Sequence, residues 1–183
     1  GTGGALFQCR DLLKDEPFFL VWYADNLCAL DLNDMYKKFK LLEDKKQKNL
    51  PIAMVVTRSK RHEETGRVLV NDHCQENVYV IESFVEKPII NLENPEAVGI
   101  YLFTQRILDE LMYCAEMHSS QSFDLSSDIL SHMKYDEQNK LYAYDIEYTK
   151  KEWVDIESPT FVNRNKVRIK TIVNQMINWR IFD

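Results

Sequence analysis

A chain of 183 residues can bury one sizeable core and is too short for two ordinary domains. With 45% hydrophobic and 28% charged residues it has a globular make-up, and a net charge of −6 argues against general nucleic-acid binding, which calls for a basic face. No apolar run approaches the roughly 20 residues of a membrane span, and the opening GTGGALFQCRDLL lacks the basic start and apolar stretch of a signal peptide, so a cytoplasmic protein without a membrane partner is expected.

Ala5 to Leu13 reads as a short helix, and Phe18 to Tyr23 as a buried strand that stops at Asp25-Asn26. Asn33 suits the N-cap of a helix with Met35, Phe39 and Leu42 on one face and a charged remainder to Lys48. The strand Ile52 to Thr57 then completes a β-α-β unit, which implies parallel strands. Gly66 to Val70 and Val78 to Phe84 form a hairpin around the polar turn NDHCQEN. Val98 to Phe103 reads as a strand, followed by a helix with Ile107, Leu108, Leu111 and Met112 at helical spacing. Asp128 to Met133 is a second short helix and Leu141 to Ile146 a further strand. Ser158 caps a last helix with Pro159 at its first position, whose apolar spacing (Phe161, Val162, Val167, Ile169, Ile172, Val173) extends as far as Met176. No repeat or linker interrupts the chain, so a single α/β domain is expected.

Ligands of open parallel sheets bind outside the carboxyl ends of the strands. Asp25 has that position, and Asp155 in Glu152-Trp153-Val154-Asp155-Ile156 ends another apolar run. Glu86-Lys87-Pro88 closes the hairpin strand. Two carboxylates and a lysine at strand ends suit a Mg²⁺-phosphate site, because Mg²⁺ takes one or two carboxylates together with substrate phosphates, and lysine adds a point charge. Each residue has a plainer alternative as a turn, a cap or a solvated loop, so the pattern alone stops at an α/β domain with an anion or metal site. The cysteines include no CxxC pair and are expected as reduced thiols, and the histidines show no metal-ligand spacing.

The order of segments resembles the sugar-1-phosphate nucleotidylyltransferases, or nucleotide-sugar pyrophosphorylases, and most nearly their mannose-1-phosphate and heptose-1-phosphate guanylyltransferase branch. Gly1-Thr2-Gly3-Gly4-Ala5 is similar to the family's LGTxGA, and Phe19-Leu20-Val21 through Asp25-Asn26-Leu27 to its strand ending in the metal aspartate. Ser83-Phe84-Val85-Glu86-Lys87-Pro88 is similar to FxEKP, and Val98-Gly99-Ile100-Tyr101-Leu102-Phe103 to AGIYxF. Phe123-Asp124-Leu125 to Ile129-Leu130 is similar to the segment after it, Trp153-Val154-Asp155-Ile156 with Ser158-Pro159 to WxDIGTP, and Asn165 to an Asn just beyond.

The resemblance implies a Rossmann-like, mostly parallel mixed sheet flanked by helices, of the glycosyltransferase-A-like kind. It implies nucleotidyl transfer from a nucleoside triphosphate, GTP favoured, to a sugar 1-phosphate. Asp25 and Asp155 would hold Mg²⁺, Lys87 would contact the sugar's phosphate, and Glu86 a sugar hydroxyl. Thr2 and Gly3 would lie close to the base or ribose, and Gly99 would line the sugar pocket.

Three departures stand out. The family's GxGxRxxPLTxxxPKP loop, which holds the triphosphate, does not occur, so residues 1–183 correspond to the C-terminal two-thirds of a single such domain and are expected to be inactive alone. A lost first strand and helix would leave apolar sheet uncovered, which a homo-oligomer would bury. Ala97 stands where many relatives have a sugar-bonding Asn, and Glu157 where they have the Gly of DIGTP. These last two favour an alternative, a non-catalytic regulatory or nucleotide-sugar-sensing homologue.

Overall fold

The computed structural model describes residues 1–43, 50–58, 66–88, 94–118, 122–136, 139–148, 152–156 and 158–177. Eight strands occur in them: β1 (Phe18–Trp22), β2 (Asn26–Cys28), β3 (Ala53–Arg58), β4 (Arg67–Gln75), β5 (Val78–Val85), β6 (Glu96–Thr104), β7 (Leu141–Asp145) and β8 (Trp153–Asp155). Six form a central sheet in the order β1-β6-β3-β7-β5-β4, and β2 with β8 makes a separate two-stranded ribbon.

The sheet is mixed, but the expected preponderance of parallel pairs does not hold. Among the described strands β3 and β7 pair in parallel, whereas β1–β6, β3–β6, β5–β7 and β4–β5 are antiparallel. The cause is β6, which lies between β1 and β3 and runs opposite to both. The two strands of the expected β-α-β unit therefore point the same way without touching. β6 suits this central place because its residues, EAVGIYLFT, are buried throughout.

Alternate side chains of the sheet face two apolar layers. Ala53, Val55, Tyr101, Phe103, Leu141 and Ala143 meet the helices α1 (Thr2–Gln8), α2 (Arg10–Leu13) and α4 (Ile107–Met117) and a π-helical turn over Leu125–Leu130. Met54, Val56, Ile100, Leu102, Tyr142 and Tyr144 meet α3 (Leu32–Leu41) through Met35 and Phe39. No helix among the described residues is long and apolar enough to cross a membrane.

Several boundaries differ from the sequence expectation for local reasons. The first helix breaks at Cys9 into α1 and α2. Asp31 caps α3, its carboxylate accepting from Asp34 N at 2.9 Å, whereas Asn33 lies inside the helix. The hairpin turn is short because Asn77 is anchored, donating to Asp145 O at 3.0 Å and accepting from Lys38 Nζ at 2.6 Å. The last helix divides at Asn165 into α5 (Pro159–Arg164) and α6 (Lys166–Ile177), while Ser158 caps α5 as expected by accepting from Phe161 N at 3.2 Å. The short helix expected at Asp128–Met133 is the π-helical turn, shifted three residues towards the N-terminus. Residues 44–48 of the charged remainder, and Glu157, lie outside the described residues.

Candidate active site

The β2–β8 ribbon brings the two sequence-predicted aspartates to neighbouring positions. Asn26, Leu27 and Cys28 pair antiparallel with Asp155, Val154 and Trp153, and Ile156 N donates to Asp25 O at 2.8 Å. Asp25 is exposed in the turn before β2, and Asp155 is half-buried at the end of β8. α6 supports the ribbon from behind: Ile172 is buried with Ala29 and Val154, and Leu27, Phe161, Ile169 and Met176 pack around them. Among the described residues no group of three His, Cys, Asp or Glu side chains gathers as a metal cage. The ribbon brings the backbones of Asp25 and Asp155 to adjacent positions; Mg²⁺ in general takes one or two carboxylates and completes its shell with water and phosphate oxygens.

Glu86 and Lys87 follow β5. Lys87 is exposed and has φ +43°, the left-handed region, which costs a non-glycine residue on the order of 1 kcal/mol or more. It is the only such residue among those described, and strain of this kind concentrates at ligand sites. Glu86 is half-buried, and burial holds its carboxyl above the ordinary value, with the nearby Asp124 charge adding to the rise; a hydrogen bond from Ser126 and the Lys87 charge act against it. The Glu86 carboxylate lies over Gly66, where a Cβ would sit 2.8 Å from Oε2.

The remaining sequence-predicted residues have protein neighbours that account for their identity. Thr2 N and Oγ1 both donate to Asp124 Oδ1, at 2.8 and 3.2 Å, and Thr2 Oγ1 accepts from Leu125 N at 3.0 Å. A Cβ on Gly3 would meet the Phe123 ring at 2.6 Å. Gly99, with φ +73°, would place a Cβ 2.5 Å from Asn26 Nδ2 and 2.6 Å from Tyr23 Cδ2. Close approach is thus the reason for both glycines, but the approaching groups are Phe123, Asn26 and Tyr23. Ala97 is buried in β6, opposite Thr57, and its N donates to Gly66 O at 3.0 Å.

Several members of this region were not singled out as site residues in the sequence. Tyr23 and Tyr101 hydrogen-bond one another with ring centroids 5.8 Å apart, and burial holds both phenols above their ordinary range. Thr2 hydrogen-bonds Tyr23, and the negative charge of Glu86 adds to the rise at both phenols. Asn26 is buried, with Oδ1 lacking a hydrogen-bond partner. Glu96, fully buried, binds both Arg58 and Arg67, the latter at 3.2 Å. The Arg58 guanidinium also lies 4.2 Å from the centre of the Trp153 ring. Such groups sit in ordinary strand sequence, and only the pairing of β3, β4 and β6 makes them neighbours.

The sequence pattern of the family described as Nucleotidyl transferase matches residues 1–160. The chain belongs to that family. Glucose-1-phosphate adenylyltransferase of Bacillus cereus (strain ATCC 14579) is 27% identical over 185 residues, covering 100% of this nucleotidyl transferase chain and 46% of the relative. The chain therefore spans about half the length of the curated relatives it matches. UDP-glucose pyrophosphorylase complexed with UDP-glucose superposes with a TM-score of 0.63 at 20% identity, over 93% of this chain and 63% of that one. The UTP-bound UGPase of Acinetobacter baumannii does so with 0.63 at 17%, over 97% and 61%. At these identities the likeness to the solved structures is one of fold: the nucleotidyl transferase chain shares their mixed sheet flanked by helices.

Proposed function

We propose that the protein carrying this chain transfers a nucleotidyl group from a nucleoside triphosphate to a sugar 1-phosphate. A phosphate oxygen of the sugar attacks the α-phosphorus, the α–β phosphoanhydride bond breaks, and pyrophosphate leaves with the bonding electrons. Both reactants are anions, so neutralising charge and aligning the phosphates in line matter more than proton transfer. The observation that carries the reading is the β2–β8 ribbon, which sets Asp25 beside Asp155 in a chain of this family. Those two carboxylates hold Mg²⁺, which when bound offsets the phosphates' negative charge. Lys87 places an ammonium group for the sugar's phosphate, and Glu86 accepts a hydrogen bond from a sugar hydroxyl. Thr2, Gly3 and Gly99 shape the wall of the cleft through Asp124, Phe123, Asn26 and Tyr23.

The motif resemblance favours GTP as donor, while the Bacillus cereus relative is named for adenylyl transfer to glucose 1-phosphate. The test is pyrophosphate release by the full-length protein with Mg²⁺, across four nucleoside triphosphates and several sugar 1-phosphates, beside Asp25→Asn. Turnover with one pair, reduced at least about 100-fold in the variant, supports the reading, since ligand carboxylates of a catalytic metal are seldom dispensable. No turnover from a folded full-length protein would favour the regulatory homologue instead. The buried Ala97, which offers no polar group to a sugar, is the observation on that side.

A further inference from the structure

Trp22 stands at the end of β1, just before the turn that carries Asp25. Its indole Nε1 donates to Asn26 O at 3.0 Å, and Asn26 N donates to Tyr23 O at 3.0 Å, so the turn is closed by two bonds. Asn26 is also the register partner of Asp155. Because Ile156 N donates to Asp25 O, the Asn26–Asp155 pair is of the non-hydrogen-bonded kind, in which the two backbones approach most closely and the Asn26 carbonyl turns away from β8. The indole of Trp22 takes up that outward carbonyl.

The second arm is fixed in a related way. Trp153, two residues before Asp155, donates from Nε1 to Val98 O at 3.1 Å. The next carbonyl along β6, Gly99 O, accepts from Tyr23 N at 3.0 Å. Consecutive carbonyls of one buried strand therefore hold the chain just ahead of both aspartates.

We propose that Trp22 is a positioning residue for the metal carboxylates: its indole N–H holds the Asn26 carbonyl, and with it the Asp25 turn, at a set distance from Asp155. This rests on the reading of Asp25 and Asp155 as a divalent-metal pair. Groups that orient metal ligands from one shell out typically change metal affinity by about 10- to 100-fold when replaced. A Phe at this position keeps the aromatic packing and removes the N–H.

The probe is Mn²⁺ alone, its free concentration followed by electron paramagnetic resonance as it is titrated into the full-length protein. Trp22→Phe is expected to weaken binding about tenfold, at the lower edge of that range, with its melting temperature nearly unchanged. Replacement of Trp22 by its benzothiophene isostere, which has the indole's shape without the N–H, is expected to do the same and serves if the Phe variant folds poorly. Phe19→Leu, buried on the same strand, is expected to lower the melting temperature and leave Mn²⁺ affinity alone. The proposal is overturned if Asp25→Asn loses Mn²⁺ while the isostere binds as tightly as wild type, or if Phe19→Leu weakens Mn²⁺ as much as Trp22→Phe. If Asp25→Asn itself binds Mn²⁺ normally, the metal pair is wrong and the positioning role falls with it.

Discussion

Replacing Gly99 by alanine probes the central strand and the site together. The residue lies in fully buried β6 with φ +73°, and an added Cβ would stand 2.5 Å from Asn26 Nδ2 and 2.6 Å from Tyr23 Cδ2. Two costs combine. A left-handed backbone costs a residue with a Cβ about 1–2 kcal/mol. Relieving the overlap in a packed interior adds about 1–3 kcal/mol, since Asn26 and Tyr23 are themselves held by hydrogen bonds. The sum is about 2–5 kcal/mol, and at about 2–4 °C per kcal/mol for a chain of this size the melting temperature should fall by roughly 4–20 °C. Thermal unfolding followed by circular dichroism measures this directly. Gly3→Ala is the comparison: its Cβ would meet the Phe123 ring at 2.6 Å, but in helical backbone, where alanine regains about 1 kcal/mol of propensity. Its loss should therefore be clearly smaller. Equal melting temperatures for Gly99→Ala and wild type would refute the close approach of β1, β2 and β6 on which the site depends.

Two further variants test narrower points. Asp31→Ala should cost about 1 kcal/mol by removing the α3 cap, whereas Asn33→Ala, exposed within the helix, should be nearly neutral in denaturant unfolding. Equal effects would mean that Asp31 is not the cap. Glu86→Gln tests burial of the carboxyl: because the folded value lies above the ordinary 4.5, the stability linked to its proton is present below that pH and is lost as pH rises through the folded value. The melting temperature of Glu86→Gln relative to wild type should therefore climb between pH 4.5 and pH 8. A difference independent of pH would show that Glu86 is solvated.

Much of the candidate site was legible because its signals are short-range. Asp25, Asp155 and the Glu86-Lys87-Pro88 segment each sit where an apolar run meets polar residues, and the ribbon does bring the first two to neighbouring positions. What pairing alone supplies was not legible. Asn26 reads as a turn residue, yet it is the buried register partner of Asp155. Glu96 lies ahead of the expected Val98–Phe103 strand, in what reads as a loop, yet it is fully buried between two arginines from other strands. Neither role leaves a mark on nearby sequence, because the partners lie far along the chain.

The sequence by itself determined where strands and helices form: the apolar runs of β1, β3 and β6, the helical spacing of α4, and the Ser158-Pro159 start of α5 are all decided by residues within a few positions of one another. Tertiary structure decided direction and neighbourhood. A strand buried on both faces carries the same apolar run whether its neighbours are parallel or antiparallel. Nothing local therefore dictated that β6 would enter between β1 and β3 and reverse the expected pairing, or that its Val98 and Gly99 carbonyls would hold the approaches to both aspartates.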